Sequence, residues 1–162
     1  MRMLLLAAAV ALAALAAVVV VGVAVVGEDE PTWSERAGAA CERGLADARA
    51  AVEAGETVDG AEQRALQVYA AATEIESRVL ADLQALPRPA DDELAIERTL
   101  AIVSESHRAD VVAVERLRRD FDAELLEQRV NDTIPILVGL RERFRSLGAD
   151  GCVRYYDPES YR

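Results

Sequence analysis

Residues 117–137 read LRRDFDAELLEQRVNDTIPIL, and the position at which the chain turns inside this stretch decides the architecture. Apolar residues run in helical phase from Leu117 through Phe121 to Leu125 without a slip, and no Gly or Pro interrupts them before Pro135. Asp120 and Asp122 are residue types that cap a new helix. Asn131-Asp132-Thr133 ahead of Pro135 is the stronger local break, because a residue before proline avoids the α region. A turn near 132 leaves a third helix of about 40 residues with little to pack against. A turn at 120–122 gives four helices of about 23, 28, 29 and 26 residues, matched in length and returning the chain to its starting end. The second division is preferred, with Pro135 as a kink, and the expected fold is an all-α, antiparallel four-helix bundle.

Outward from this stretch, the last helix carries the stripe Leu126, Val130, Ile134, Leu137, Leu140, Phe144 and Leu147, and Gly148 ends it. The third helix is expected from Asp91, with the stripe Leu100, Val103, His107, Val111, Val114 and Leu117. The second is expected behind an Asp59/Glu62 capping box, with Leu66, Tyr69, Thr73, Leu80 and Leu83 inward, and Pro87-Arg88-Pro89 terminates it. The first starts at the capping box Thr32-Trp33-Ser34-Glu35 and stops at Gly55. Its stripe (Trp33, Ala37, Cys41, Leu45, Ala48, Val52) holds few large side chains, so this helix buries little apolar area by itself.

Before the bundle, residues 4–26 form an apolar run broken only by Gly22, with Arg2 ahead of it and Glu28, Asp29 and Glu30 behind. A helix of that length covers roughly 30 Å of hydrocarbon. The charge asymmetry keeps the N-terminus cytoplasmic and exports residues 28–162. The expected organisation is a transmembrane signal-anchor at 1–27, an extracytoplasmic helical bundle at 28–152 and a Tyr-rich C-terminal tail at 153–162. A cleaved signal peptide is the competing reading, with Val25 and Gly27 small enough for its processing site, but the run exceeds the usual length of a secretory apolar core. Ala39-Ala40-Cys41 ends like a lipobox, yet Gly38 and the distance from the apolar run argue against a lipoprotein.

Export bears on the two cysteines. Cys41 and Cys152 lie near the two ends of the exported part, and in an oxidising compartment a structural disulfide is the natural pairing. A redox site and intermolecular bridges are the alternatives, and no C-x-x-C spacing is present. The chain has 18 basic residues, all arginine, against 29 acids. That acidic balance argues against nucleic acid as a partner. The absence of lysine suggests a GC-rich genome, where arginine codons dominate.

Catalytic patterns are missing. None of the serines sits in a Gly-x-Ser-x-Gly elbow, there is no Gly-rich phosphate loop, and His107 has Ser104 rather than Glu three residues before it. No cofactor and no metal site are expected, and the chain is not read as an enzyme. His107 and Tyr69, both on inner stripes, are the candidate small-ligand contacts. Glu74, Glu76, Asp82, Glu97, Glu105, Asp110 and Glu115 are read as a solvated face paired with arginines. Arg141, Arg143 and Arg145 are read as solvated too. Tyr155, Tyr156 and Tyr161 in the tail are read as a membrane-interface or partner-docking element, against the alternative of an unordered polar terminus.

An export segment, Cys41 early in an Ala-rich first helix, Leu-Pro-Arg-Pro at 86–89, and Leu147-Gly148 shortly before Cys152 together form a pattern. It resembles the small uncharacterised extracytoplasmic helical-bundle proteins of high-GC Gram-positive bacteria. The resemblance implies a location and a helical fold, and no activity. The expected function is a membrane-anchored bundle acting by contact with an envelope protein or by structural support. A ligand-binding or sensing bundle centred on His107 and Tyr69 is the alternative.

Overall fold

The computed structural model describes residues 30–161, with side chains through Ser160. The apolar run at 4–26 lies outside them. Among the described residues no helix is long and apolar enough to cross a membrane.

The described chain is all-helical. Four long helices, α1 (Trp33–Glu56), α2 (Ala61–Ala85), α3 (Glu93–Arg119) and α4 (Ala123–Ser146), are followed by a short α5 (Asp150–Tyr155) and a 3-10 turn (Pro158–Tyr161). Short loops join consecutive long helices, which pack side by side: α1 on α2, α2 on α3, α3 on α4. The ring closes through α5, which packs against both α1 and α4.

The start of α1 is the expected capping box. The Glu35 amide donates to Thr32 Oγ1 at 3.3 Å, and the Thr32 amide donates to Glu35 Oε2 at 2.7 Å. The turn at 120–122 is also where the sequence places it. Here α3 ends at Arg119, and the Asp122 carboxylate accepts from the Leu125 amide at 3.0 Å. Pro135 sits inside α4, and Gly148 takes φ +70° just after that helix. Other boundaries differ. Helix α1 runs through Gly55 to Glu56, and α3 starts at Glu93 rather than Asp91. The Asp59/Glu62 box does not form; Gly60, at φ +86°, is the N-cap of α2 without a side-chain bond.

The main core gathers Trp33, Cys41 and Leu45 from α1 with Val79 and Leu83 from α2, Ile96, Leu100 and Val103 from α3, and Leu140 and Phe144 from α4. Tyr155 and Tyr156 complete it at 6% and 1% exposure. The rings of Phe144 and Tyr156 stack at 5.1 Å, and Tyr155 meets Tyr156 edge-on at 4.9 Å. These two tyrosines therefore fill the interior and are not an interface tail. The described part of 153–162 continues the bundle instead of leaving it, because α1 offers too few large side chains to close the core alone. Arg141 stands 3.5 Å from Asp157, and Arg49 Nε donates to the Ser160 carbonyl at 3.1 Å, which fixes the segment from both flanks.

The Cys41–Cys152 disulfide is formed, joining α1 to α5 across 111 positions. Glycine permits the approach. A Cβ on Gly151 would lie 2.1 Å from the Gly38 carbonyl oxygen, so the two backbones touch where any side chain would part them.

Three positions of the expected inner stripes are turned outward. Val111 of α3 is 37% exposed, and Val130 and Ile134 of α4 are 47% and 44% exposed. On α4 the inward face is set by Leu140, Phe144 and Arg129, and α5 packs on that helix.

Candidate functional site

A layer of polar side chains crosses α2, α3 and α4 between the main core and a smaller apolar group at Ala70, Ala113, Val114 and Leu117. Its centre is Asp110, 6% exposed on α3. Arg129 of α4 donates to Asp110 Oδ1 from Nη2 at 2.7 Å and from Nε at 3.0 Å. The Tyr69 hydroxyl, on α2, donates to the same oxygen at 2.6 Å. One carboxylate thereby ties three helices together by charge-assisted bonds, the stronger class of hydrogen bond. Burial and the bond to Asp110 push the Tyr69 phenol well above its ordinary pKa, so it stays a donor.

One turn along, Glu76 of α2 faces His107 of α3, with Oε2 3.5 Å from Nδ1. Their side chains are 15% and 14% exposed. Burial, then the negative charge of Asp110, pushes the Glu76 carboxyl up to about 7, while Arg129 opposes the shift. Burial lowers the His107 pKa. The two shifts both favour the uncharged forms, so on the acid side of neutrality Glu76 holds a proton while the lowered pKa of His107 disfavours its imidazolium. Thr73 and Thr133 line the same layer and return their hydroxyls to the carbonyls of Tyr69 and Arg129 at 2.9 and 2.8 Å, leaving no demand on the neighbours.

The structure thus brings His107 and Tyr69 into one layer, in keeping with their inner stripes, and adds three residues to it. Of the residues expected on a solvated face, Asp110 is buried and the Glu76 side chain is only 15% exposed. Arg129 is the third, a residue that no motif marks. The layer can hold and release a proton at Glu76. It contains no nucleophile poised beside a base, and among the described residues no group of three or more His, Cys, Asp or Glu side chains is placed to hold a metal ion. Two surface grooves, one beside Gly44 and Val79 and one beside Leu66 and Arg118, do not include Tyr69 or His107.

A second feature lies on the outside. Val130, Ile134 and Val138 of α4, four residues apart, are 47%, 44% and 41% exposed. They form one apolar line along the helix. Single exposed aliphatics are ordinary, but three aligned on one helix face form a stripe that no element covers among the described residues. Of the tail residues read as an interface, Tyr155 and Tyr156 take no part, being buried, and the Tyr161 side chain lies outside the described ones. Arg141 is 29% exposed and borders this stripe.

No protein-family model, curated protein or solved structure matches this chain.

Proposed function

We propose that this protein is a membrane-anchored, extracytoplasmic four-helix bundle that acts by protein–protein contact through α4, without catalysis. The observation that carries the reading is the uncovered line of Val130, Ile134 and Val138. Burial of such a line against a partner helix is favourable and directional, since the residues recur at the spacing that faces a neighbour. The location is supported by the apolar run at 4–26 with acids directly after it, and by a disulfide of a kind that persists in oxidising compartments. The bundle is read as antiparallel, with α5 as the strut that completes it. A photo-crosslinking amino acid in place of Ile134, in cells making the full chain, tests the contact. The expected result is a protein adduct at Ile134 and none at the exposed Glu105. No adduct at Ile134 overturns the reading.

The second reading, a small-ligand-binding or sensing bundle, is favoured by one observation: Tyr69 and His107 share a layer in which the Glu76 carboxyl is pushed up to about 7. Native mass spectrometry of the full chain from its own membranes tests it. A bound small mass lost on Tyr69→Phe supports it, and an unliganded chain counts against it. The same intact mass separates a retained anchor from a cleaved secreted form.

A further inference from the structure

The exposed face of α4 is self-complementary. Ala123, Glu127, Val130, Ile134, Val138, Arg141 and Arg145 follow one another at spacings of 4, 3, 4, 4, 3 and 4, a palindrome centred on Ile134. For the inner five positions the chemistry is palindromic in the matching sense, while the outermost pair, Ala123 and Arg145, is not. Val130 mirrors Val138 across the centre, and the acid Glu127 mirrors the base Arg141. At 3.6 residues per turn these positions stay on one side of the helix. All but Arg141 are exposed or nearly so, and Arg141 is partly exposed.

We propose that a second copy of this chain is the partner, docked antiparallel on α4 about a two-fold axis through Ile134. This assignment rests on the reading of α4 as the contact face. In that arrangement Ile134 meets its own counterpart, Val130 meets the partner's Val138, and Glu127 meets the partner's Arg141. A two-fold interface requires each contact to occur twice with roles exchanged, and a palindromic face supplies that without a second patch. Glu127 is exposed and has no ion pair in its own chain among the described residues. Arg141 already pairs with Asp157 at 3.5 Å and Glu142 at 3.6 Å in its own chain, so the partner's Glu127 would join these acids around one guanidinium, which has several donors. A parallel pairing would instead set Glu127 against Glu127 and Arg141 against Arg141, which like charges disfavour.

The experiment uses disulfide trapping in the full chain, in mild detergent. The native cysteines are bonded to each other and fully buried, so an introduced cysteine is the reactive thiol. Ile134→Cys is expected to form a covalent dimer at least tenfold faster than Val112→Cys, an exposed position of α3. A mixture of Val130→Cys and Val138→Cys chains is expected to cross-link, whereas Val130→Cys alone does not, its counterpart lying about 12 Å away along the helix. Adding Glu127→Arg to Ile134→Cys is expected to slow trapping at least tenfold. Trapping of Val130→Cys with itself, or no trapping at Ile134→Cys, overturns the proposal. A photo-adduct at Ile134 with a different protein, combined with absent trapping, overturns the second-copy assignment while leaving the contact reading standing. Absence of both overturns both.

Discussion

Glu76 and His107 face each other across α2 and α3 with 3.5 Å between Oε2 and Nδ1. The native carboxyl holds its proton to about pH 7, against an ordinary value of 4.5. The folded state therefore binds more protons than the unfolded state between those values, and the Glu76 contribution to stability falls as pH rises through that window. His107 acts in the opposite sense: its lowered pKa makes the unfolded state the better proton binder below 6.5. Glu76→Gln removes the first effect and leaves the second. The variant is expected to exceed the parent at pH 8 by on the order of 1–3 kcal/mol and to lose that advantage by pH 4.5. Urea unfolding followed by circular dichroism at the two pH values checks this; an equal difference at both would refute the assignment.

Asp110 is the acceptor for both Arg129 and Tyr69. Asp110→Ala leaves a largely buried guanidinium and a phenol without their partner, at an expected cost of about 3–5 kcal/mol. Tyr69→Phe removes one donor while Arg129 still serves the carboxylate, and about 1 kcal/mol is expected. Chemical denaturation of the two variants should separate them clearly. Equal losses would mean that the ion pair is not what holds α3 to α4.

Gly151 and Gly139 differ in what a methyl group would meet. On Gly151 it would reach the Gly38 carbonyl at 2.1 Å, while around Gly139 nothing lies within 4 Å. Gly151→Ala is expected to destabilise by at least about 2 kcal/mol, since the obstacle is backbone. Gly139→Ala, in an exposed helix interior, is expected to stabilise by about 0.5–1 kcal/mol. Thermal melts of both give the contrast, and a tolerated Gly151→Ala would show that α5 can shift off α1.

Replacing Cys41 and Cys152 with serine opens a loop of 111 positions. The chain-entropy account assigns roughly 4–5 kcal/mol to such a closure. Both cysteines are fully buried, so the substitution also places two hydroxyls in the core. A large drop in melting temperature under non-reducing conditions is expected. A melt unchanged by the double substitution would remove the bridge from the stability argument.

Much of this structure is legible in the chain because its punctuation is local. The Thr32/Glu35 box, the Pro87–Pro89 stop, Asp122 and Gly148 each act within one turn of themselves, and each does in the structure what its residue type dictates. The cysteine pairing is legible because two cysteines at the ends of the bundle have one obvious partner. The polar layer is half legible. Tyr69, Thr73 and His107 fall on inner stripes and lie in the layer. Glu76 and Asp110 keep the same phase, three residues after Thr73 and His107, but their charge points the other way, to solvent. Arg129 keeps the inner phase of α4 three residues after Leu126. Opposite-sign residues on the inward phase of three helices are the available signal. The fate of Val130, Ile134, Tyr155 and Tyr156 is not legible. Which flank of α4 is covered depends on α5 folding back onto Gly38, a contact between residues more than a hundred positions apart that no local pattern encodes.

The bridge between Cys41 and Cys152 also sets how the molecule would carry load. Tension applied between the segment before α1 and the segment after α5 enters at Cys41 and leaves at Cys152 through the sulfur–sulfur bond. Helices α2, α3 and α4 lie wholly inside the covalent loop and are bypassed. Only the first turns of α1 and the residues after Cys152 are in series with the pull. As a tether, the protein would be short and nearly inextensible, with its polar layer and its α4 face shielded from any force acting along the chain.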